Sequence, residues 1–166
     1  SNNWTIYYLS QQVEAGVEVV QLFDSWAGIL DQSNFEKWVI EPTTKIISGF
    51  KKIHPNTPII GFPRQAGAMI EQYIAECDVQ GIGLDYTVPL DWALEHIPDN
   101  VVIQGNLDPV QLLAGSVSME HAANNLLEKF KDRPFIFNLG HGVIKETPVA
   151  HVEKLCQIIK DLKKWA

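Results

Sequence analysis

The run Arg133-Pro-Phe-Ile-Phe-Asn-Leu-Gly-His141-Gly-Val143 empties a short apolar segment into a histidine held between two glycines. An imidazole so placed can donate a hydrogen bond to a carboxylate, move a proton near neutral pH, or bind a metal. Gly140 and Gly142 remove side chains on both sides, permit unusual backbone angles and let a ligand approach the main chain. The same pattern recurs four times upstream. Residues 17–24 run into Ser25-Trp-Ala-Gly28, residues 57–62 into Pro63-Arg-Gln-Ala-Gly67, residues 79–84 into Asp85-Tyr-Thr87, and residues 101–105 into Asn106-Leu-Asp-Pro109.

Each turn offers a group whose chemistry has two readings. The Ser25 hydroxyl can bind a substrate carboxylate or cap the next segment; it lacks the Gly-x-Ser-x-Gly flanks of a nucleophile elbow. Asp24 and Asp85 can face a ligand, or accept hydrogen bonds from nearby backbone amides. Arg64 is the only arginine expected at this rim and can pair bidentately with a carboxylate or form a surface salt bridge. Arg133 precedes its strand and belongs at the opposite end. His54, His96, His121 and His151 fall on helices or beside a proline and read as structural. Cys77 and Cys156 lie far apart in helical segments, form no metal or redox motif, and are expected as buried thiols. No metal site is therefore expected. Gly81-Ile-Gly83 is too short for a dinucleotide fingerprint, and no Walker lysine motif occurs.

Strand ends can gather such groups only if the elements between the strands bring them to one side. Amphipathic segments at residues 4–15, 35–53, 68–77, 90–97, 119–130 and 149–165 separate the five apolar runs, with Pro42 expected to break or kink the second. In the last, Val149, Val152, Leu155, Cys156, Ile159 and Leu162 form an apolar stripe, with Thr147 as cap and Pro148 in the first turn. Strict alternation of helix and strand predicts an α/β fold with parallel strands and right-handed crossovers. Candidate groups spread over five βα turns point to a TIM (β/α)8 barrel rather than an open sheet with one switch point. Such barrels take about 250 residues, so residues 1–166 are expected to be the C-terminal portion of one barrel domain, roughly five-eighths of it.

The 166 residues carry a formal net charge of −7, with only two arginines among thirteen basic residues, which argues against a nucleic-acid partner. No apolar stretch approaches the roughly 18 residues of a membrane span, and no secretory signal is visible, so a soluble cytoplasmic protein is expected. The opening Ser1-Asn2 reads as a cloning scar or the edge of a cut piece.

Gln21-Leu-Phe-Asp-Ser-Trp-Ala-Gly28, Gly83-Leu-Asp-Tyr-Thr87, Gln104-Gly-Asn-Leu-Asp-Pro109 and Asn138-Leu-Gly-His-Gly142 together resemble the C-terminal part of the uroporphyrinogen decarboxylase family. The resemblance spans nearly the whole chain in the family's order. It implies a carboxy-lyase of haem biosynthesis, a homodimeric TIM barrel that converts uroporphyrinogen III to coproporphyrinogen III by removing four acetate carboxyls. No metal or organic cofactor is implied; a protonated pyrrole serves as electron sink beside an aspartate. By the resemblance Ser25 and His141 are substrate-binding, while the family's arginine-rich motif, its pyrrole-binding aspartate and a tyrosine lie in a preceding half, leaving no catalytic residue within residues 1–166. The chain alone is accordingly expected to be inactive and prone to self-association through open sheet edges. Two other classes follow from the same residues: a zinc-dependent corrinoid or folate methyltransferase of a related barrel, which needs Cys and His ligands converging at strand ends, and a non-catalytic binding module.

Overall fold

In the computed structural model the described residues are 2–162. Helices α1 (Asn2–Glu14), α2 (Gln32–Phe35), α3 (Glu41–Ile53), α4 (Met69–Cys77), α5 (Leu90–His96), α6 (Pro109–Ala114), α7 (Val117–Lys129) and α8 (Val149–Leu162) alternate with strands β1 (Val20–Asp24), β2 (Ile59–Pro63), β3 (Gly81–Leu84), β4 (Val102–Leu107) and β5 (Phe135–Leu139). The strands follow sequence order in the sheet, and the registered pairs β1/β2, β2/β3 and β4/β5 are parallel. This is the expected parallel βα series, five units of a (β/α)8 barrel, with β1 and β5 as edge strands among the described residues.

The chain packs as two compact units, one running through Gly83 with Asn100–Val102, the other comprising Leu84–Asp99 and the residues from Ile103 onward. In the first, β1 pairs with β2 from Val20↔Ile59 to Asp24↔Pro63, β2 pairs with β3, and the Val102 N–H donates to Gln80 O at 3.0 Å. All five residues of β2 are buried, as befits a parallel strand covered on both faces. Ile47, Phe50, Ile59, Ile70 and Tyr73 form its core. In the second unit β4 pairs with β5 from Ile103↔Phe135 to Leu107↔Leu139, over a core of Ile103, Leu112, Met119, Ala123, Leu126 and Phe130.

Four expectations are corrected. Pro42 does not end the helical segment: a π-helical turn over Glu36–Ile40 precedes it, the backbone stays right-handed helical at Phe35, Glu36, Ile40 and Glu41, and the proline falls in the first turn of α3. There its missing N–H is tolerated. One helix was expected between β4 and β5 and two are present. Asp108 accepts from the Val110 N–H to start α6 at Pro109, left-handed Gly115 ends it, and Ser116 accepts from the Ser118 N–H to start α7. Six residues are too few to show a helical period. Thr147 does not cap α8, since its hydroxyl is buried without a partner. On α8 Leu155 is buried, but Val149, Val152 and Cys156 are exposed, so Cys156 is not the buried thiol expected. One residue along a helix turns a side chain by about 100°, which separates Cys156 from Leu155. The expected continuation of α8 over residues 163–165 lies outside the described residues.

Candidate functional site

The site begins where β1 and β2 end. The ladder continues one bond past the strands, with the Arg64 N–H donating to Asp24 O at 3.0 Å, and the Gly28 N–H returns to Arg64 O at 3.0 Å. The two turns touch so closely that a Cβ on Gly28 would lie 2.2 Å from the Gln65 carbonyl oxygen. Gln65 itself adopts a left-handed φ of 59°. Asp24 behaves as a turn former, its Oδ1 accepting from the Trp26 N–H at 3.3 Å.

Ser25 caps nothing. The residue before the 3-10 turn at Ala27–Ile29 is Trp26, and the cap of α2 is Asp31, whose side chain accepts from Asn34. The half-buried Ser25 hydroxyl has no bonding partner among the described residues. Arg64 makes no ion pair among them either, and its Nε is buried without a partner, so the surface salt bridge is absent. Around these two lie Phe23, Trp26 and Ile29, each about 70% exposed. Exposed apolar side chains thus accompany two polar side chains that have no protein partner among the described residues.

The second unit holds the other turns. Asp85 is 1% exposed, and its Oδ1 accepts from the Thr87 N–H at 2.9 Å and the Thr87 hydroxyl at 2.5 Å. Asn106, also buried, donates from Nδ2 to Asp85 O at 3.1 Å and Val88 O at 2.9 Å. Asn106, expected to open the turn after the fourth strand as one of the polar groups of the rim, lies within β4 and is buried. These groups hold the turn after β3 in place.

His141 follows β5 and is exposed, with no bonding partner among the described residues. Gly140 N–H donates to Leu107 O at 2.7 Å, and a Cβ there would lie 2.3 Å from the Tyr86 N. The flanking glycines are not needed for backbone angles, since neither has a positive φ. Gly140 makes room for Tyr86; Gly142 faces open space.

The remaining candidates are structural. Arg133 donates to Ile97 O and Pro98 O from a guanidinium side chain only 6% exposed. Nδ1 of His96 lies 2.9 Å from Trp92 O, and Nδ1 of His151 lies 3.0 Å from Leu112 O. Cys77 is buried on α4, where burial pushes its thiol up to about 11. Among the described residues no three His, Cys, Asp or Glu side chains converge as a metal site.

With the geometry in place, relatives can be compared. The family profile described as Uroporphyrinogen decarboxylase (URO-D) matches residues 2–162. The chain belongs to the uroporphyrinogen decarboxylase family. It is 49% identical over 156 residues to the uroporphyrinogen decarboxylase of Sphingopyxis alaskensis, covering 94% of this chain and 46% of that protein. Against the uroporphyrinogen decarboxylase of Rhizorhabdus wittichii it is 48% identical over 151 residues, 91% of this chain and 44% of the relative. The enzyme of the same name from Rhodospirillum rubrum is 43% identical over 156 residues, 94% and 45% respectively. The chain thus spans a little under half the length of these uroporphyrinogen decarboxylases. No helix among the described residues is long and apolar enough to cross a membrane.

Proposed function

We propose that this chain works within a uroporphyrinogen decarboxylase, a carboxy-lyase of porphyrin and haem biosynthesis that converts uroporphyrinogen III to coproporphyrinogen III. In each of four steps an acetate arm loses CO2 and its methylene gains a proton. The electron pair left by CO2 passes into the protonated pyrrole, which gives up its added proton once the methylene is protonated, so the reaction needs no metal or organic cofactor. The observation that carries this reading is the family match across residues 2–162, joined by relatives that bear the enzyme's name over nearly all of the chain.

Within that reaction Ser25 and His141 bind substrate. Their hydroxyl and imidazole stand at the ends of β1 and β5 without partners among the described residues, which leaves both able to bond a carboxylate or the pyrrole surroundings. The proton-handling aspartate belongs to the part of the family's length that this chain does not span. The 166-residue chain alone is therefore inactive. The reading includes a cytoplasmic homodimer, or self-association through the edge strands β1 and β5; the latter is supported by exposed Phe23 and Ile136 on those strands.

The test is uroporphyrinogen turnover by the full-length protein carrying this chain, by its Ser25→Ala and His141→Ala variants, and by the 166-residue chain. Turnover by the first, weakened by each substitution and absent from the last, is the expected pattern. A silent full-length protein overturns the reading, and coproporphyrinogen formed by the chain alone overturns the division of labour.

A further inference from the structure

We infer that Arg64 is a carboxylate-binding residue of this site, pairing with an anionic arm of the substrate beside the Ser25 hydroxyl. The inference rests on the porphyrinogen reading above and names a residue that this reading does not use.

Register places the two side by side. Pairing runs Phe23↔Phe62 and Asp24↔Pro63, and the ladder bond from Arg64 N–H to Asp24 O makes Ser25 and Arg64 the next neighbours. Phe23 and Phe62, two residues before them, share one face of the β1–β2 pair, where their rings meet at 5.8 Å. Asp24 falls on the other face. There its charge helps raise the pKa of Tyr73 on α4, and its carboxylate is engaged by the Trp26 N–H. Asp24, whose carbonyl accepts from the Arg64 N–H, forms no ion pair with the guanidinium.

Arg64 is held in place and left unneutralised. Bonds to Asp24 O and from Gly28 N–H fix its backbone on both sides, yet its buried Nε has no partner and no ion pair forms among the described residues. A buried donor without an acceptor is unfavourable and uncommon. The residues that immediately follow the five strands are Ser25, Arg64, Asp85, Asp108 and Gly140, so Arg64 is the only base in that set. On a chain of net charge −7, a polyanionic substrate needs such a local cation. The fork geometry of a guanidinium suits a carboxylate better than an ammonium would.

The experiment compares Arg64→Gln and Arg64→Lys in the full-length protein, using uroporphyrinogen kinetics, equilibrium binding of the octacarboxylate uroporphyrin, and thermal unfolding. Loss of one charge-assisted pair predicts that Arg64→Gln raises KM and the uroporphyrin Kd about ten- to a hundredfold. Arg64→Lys should recover much of that loss, with kcat within about threefold and Tm unchanged in both. Values of KM and Kd within twofold of wild type overturn the assignment. Equal loss in both variants accompanied by a fall in Tm also overturns it, because that pattern marks a structural residue. If the unsubstituted protein binds uroporphyrin in an Arg64-dependent way but turns nothing over, the decarboxylase reading fails and the carboxylate site stands.

Discussion

Two pairs of adjacent strands end differently. At the ends of β3 and β4, the polar groups Asp85, Thr87 and Asn106 bond to one another and to backbone carbonyls, Asn106 from within β4. After β1 and β2, the backbones of the two turns are bonded together, while the side chains of Ser25 and Arg64 have no protein partner among the described residues. Both regions are polar strand ends of the kind that reads as a site in sequence. The difference lies in where the hydrogen bonds go: a satisfied network stabilises the fold, whereas a rigid turn with unspent donors can bind a ligand.

The largest effect should come from breaking the satisfied network. Asn106→Ala takes the side-chain donor from the Val88 carbonyl and one of two donors from the Asp85 carbonyl, which keeps the Val88 N–H; both carbonyls are on buried residues. A stranded buried acceptor costs about 1–3 kcal/mol before relaxation, so a loss of up to about 3 kcal/mol is expected. Urea unfolding of the 166-residue chain measures it. A change below about 0.5 kcal/mol would mean that water replaces the amide readily and that the network is no brace.

In the other region the comparable weak point is packing rather than a side-chain bond. Gly28→Ala drives a methyl group into the Gln65 carbonyl 2.2 Å away, and that carbonyl is backbone. Overpacking of this kind costs about 1–3 kcal/mol. It should also spread the turns that carry Ser25 and Arg64, weakening uroporphyrin binding by the full-length protein. Unchanged stability together with unchanged binding would show that the two turns do not act as one platform.

The contrast between these regions was only partly visible in the sequence. The five strands were legible because each apolar run is punctuated by Gly, Pro, Asp or Ser, and strict alternation with helices dictates parallel pairing. Asp85 was legible in outline, since Asp two residues before Thr is suited to accept its amide. The state of Ser25 was not. Whether its hydroxyl caps a helix depends on where α2 begins, and Asp31 holds that position. The lack of a protein partner at Arg64 was not legible either, since whether a neighbouring acid such as Asp24 pairs with it or accepts from a turn amide depends on turn geometry rather than residue type. α6 was missed because six residues show no period, and the exposure of Cys156 because the stripe on α8 says which residues share a face and not how much of that face is covered.

A smaller effect belongs to the alkaline range and to the covered first unit. Burial raises the Cys77 thiol from its ordinary 9.0 to about 11, and burial, first among several causes, also raises Tyr73. Both groups are neutral when protonated, so a folded pKa above the unfolded value means that the unfolded chain ionises first. Stability is full below pH 9 and falls as pH rises from 9 toward 11, by roughly 1–2 kcal/mol for the thiol. Denaturant midpoints across that window measure the slope, and Cys77→Ser should flatten it. Disulfide-exchange labelling at neutral pH should modify exposed Cys156 promptly and Cys77 only on unfolding. Equal labelling rates would show that α4 opens in the native state.

The smallest effect on stability should come from the residues with the largest role in binding. Ser25→Ala and His141→Ala remove side chains that bond to no described residue, and neither residue is buried, so each should change unfolding free energy by no more than about 0.5 kcal/mol. In the full-length protein the same substitutions should weaken substrate binding, Ser25→Ala by the roughly tenfold expected of one lost hydrogen bond to a charged group. Stability and binding are thereby separated: the β3–β4 network loses stability when touched, and the free groups lose ligand. If Ser25→Ala were instead to destabilise the isolated chain by more than 1 kcal/mol, its hydroxyl would have a partner in solution, and the distinction between the two strand-end regions would fail at the residue on which it most depends.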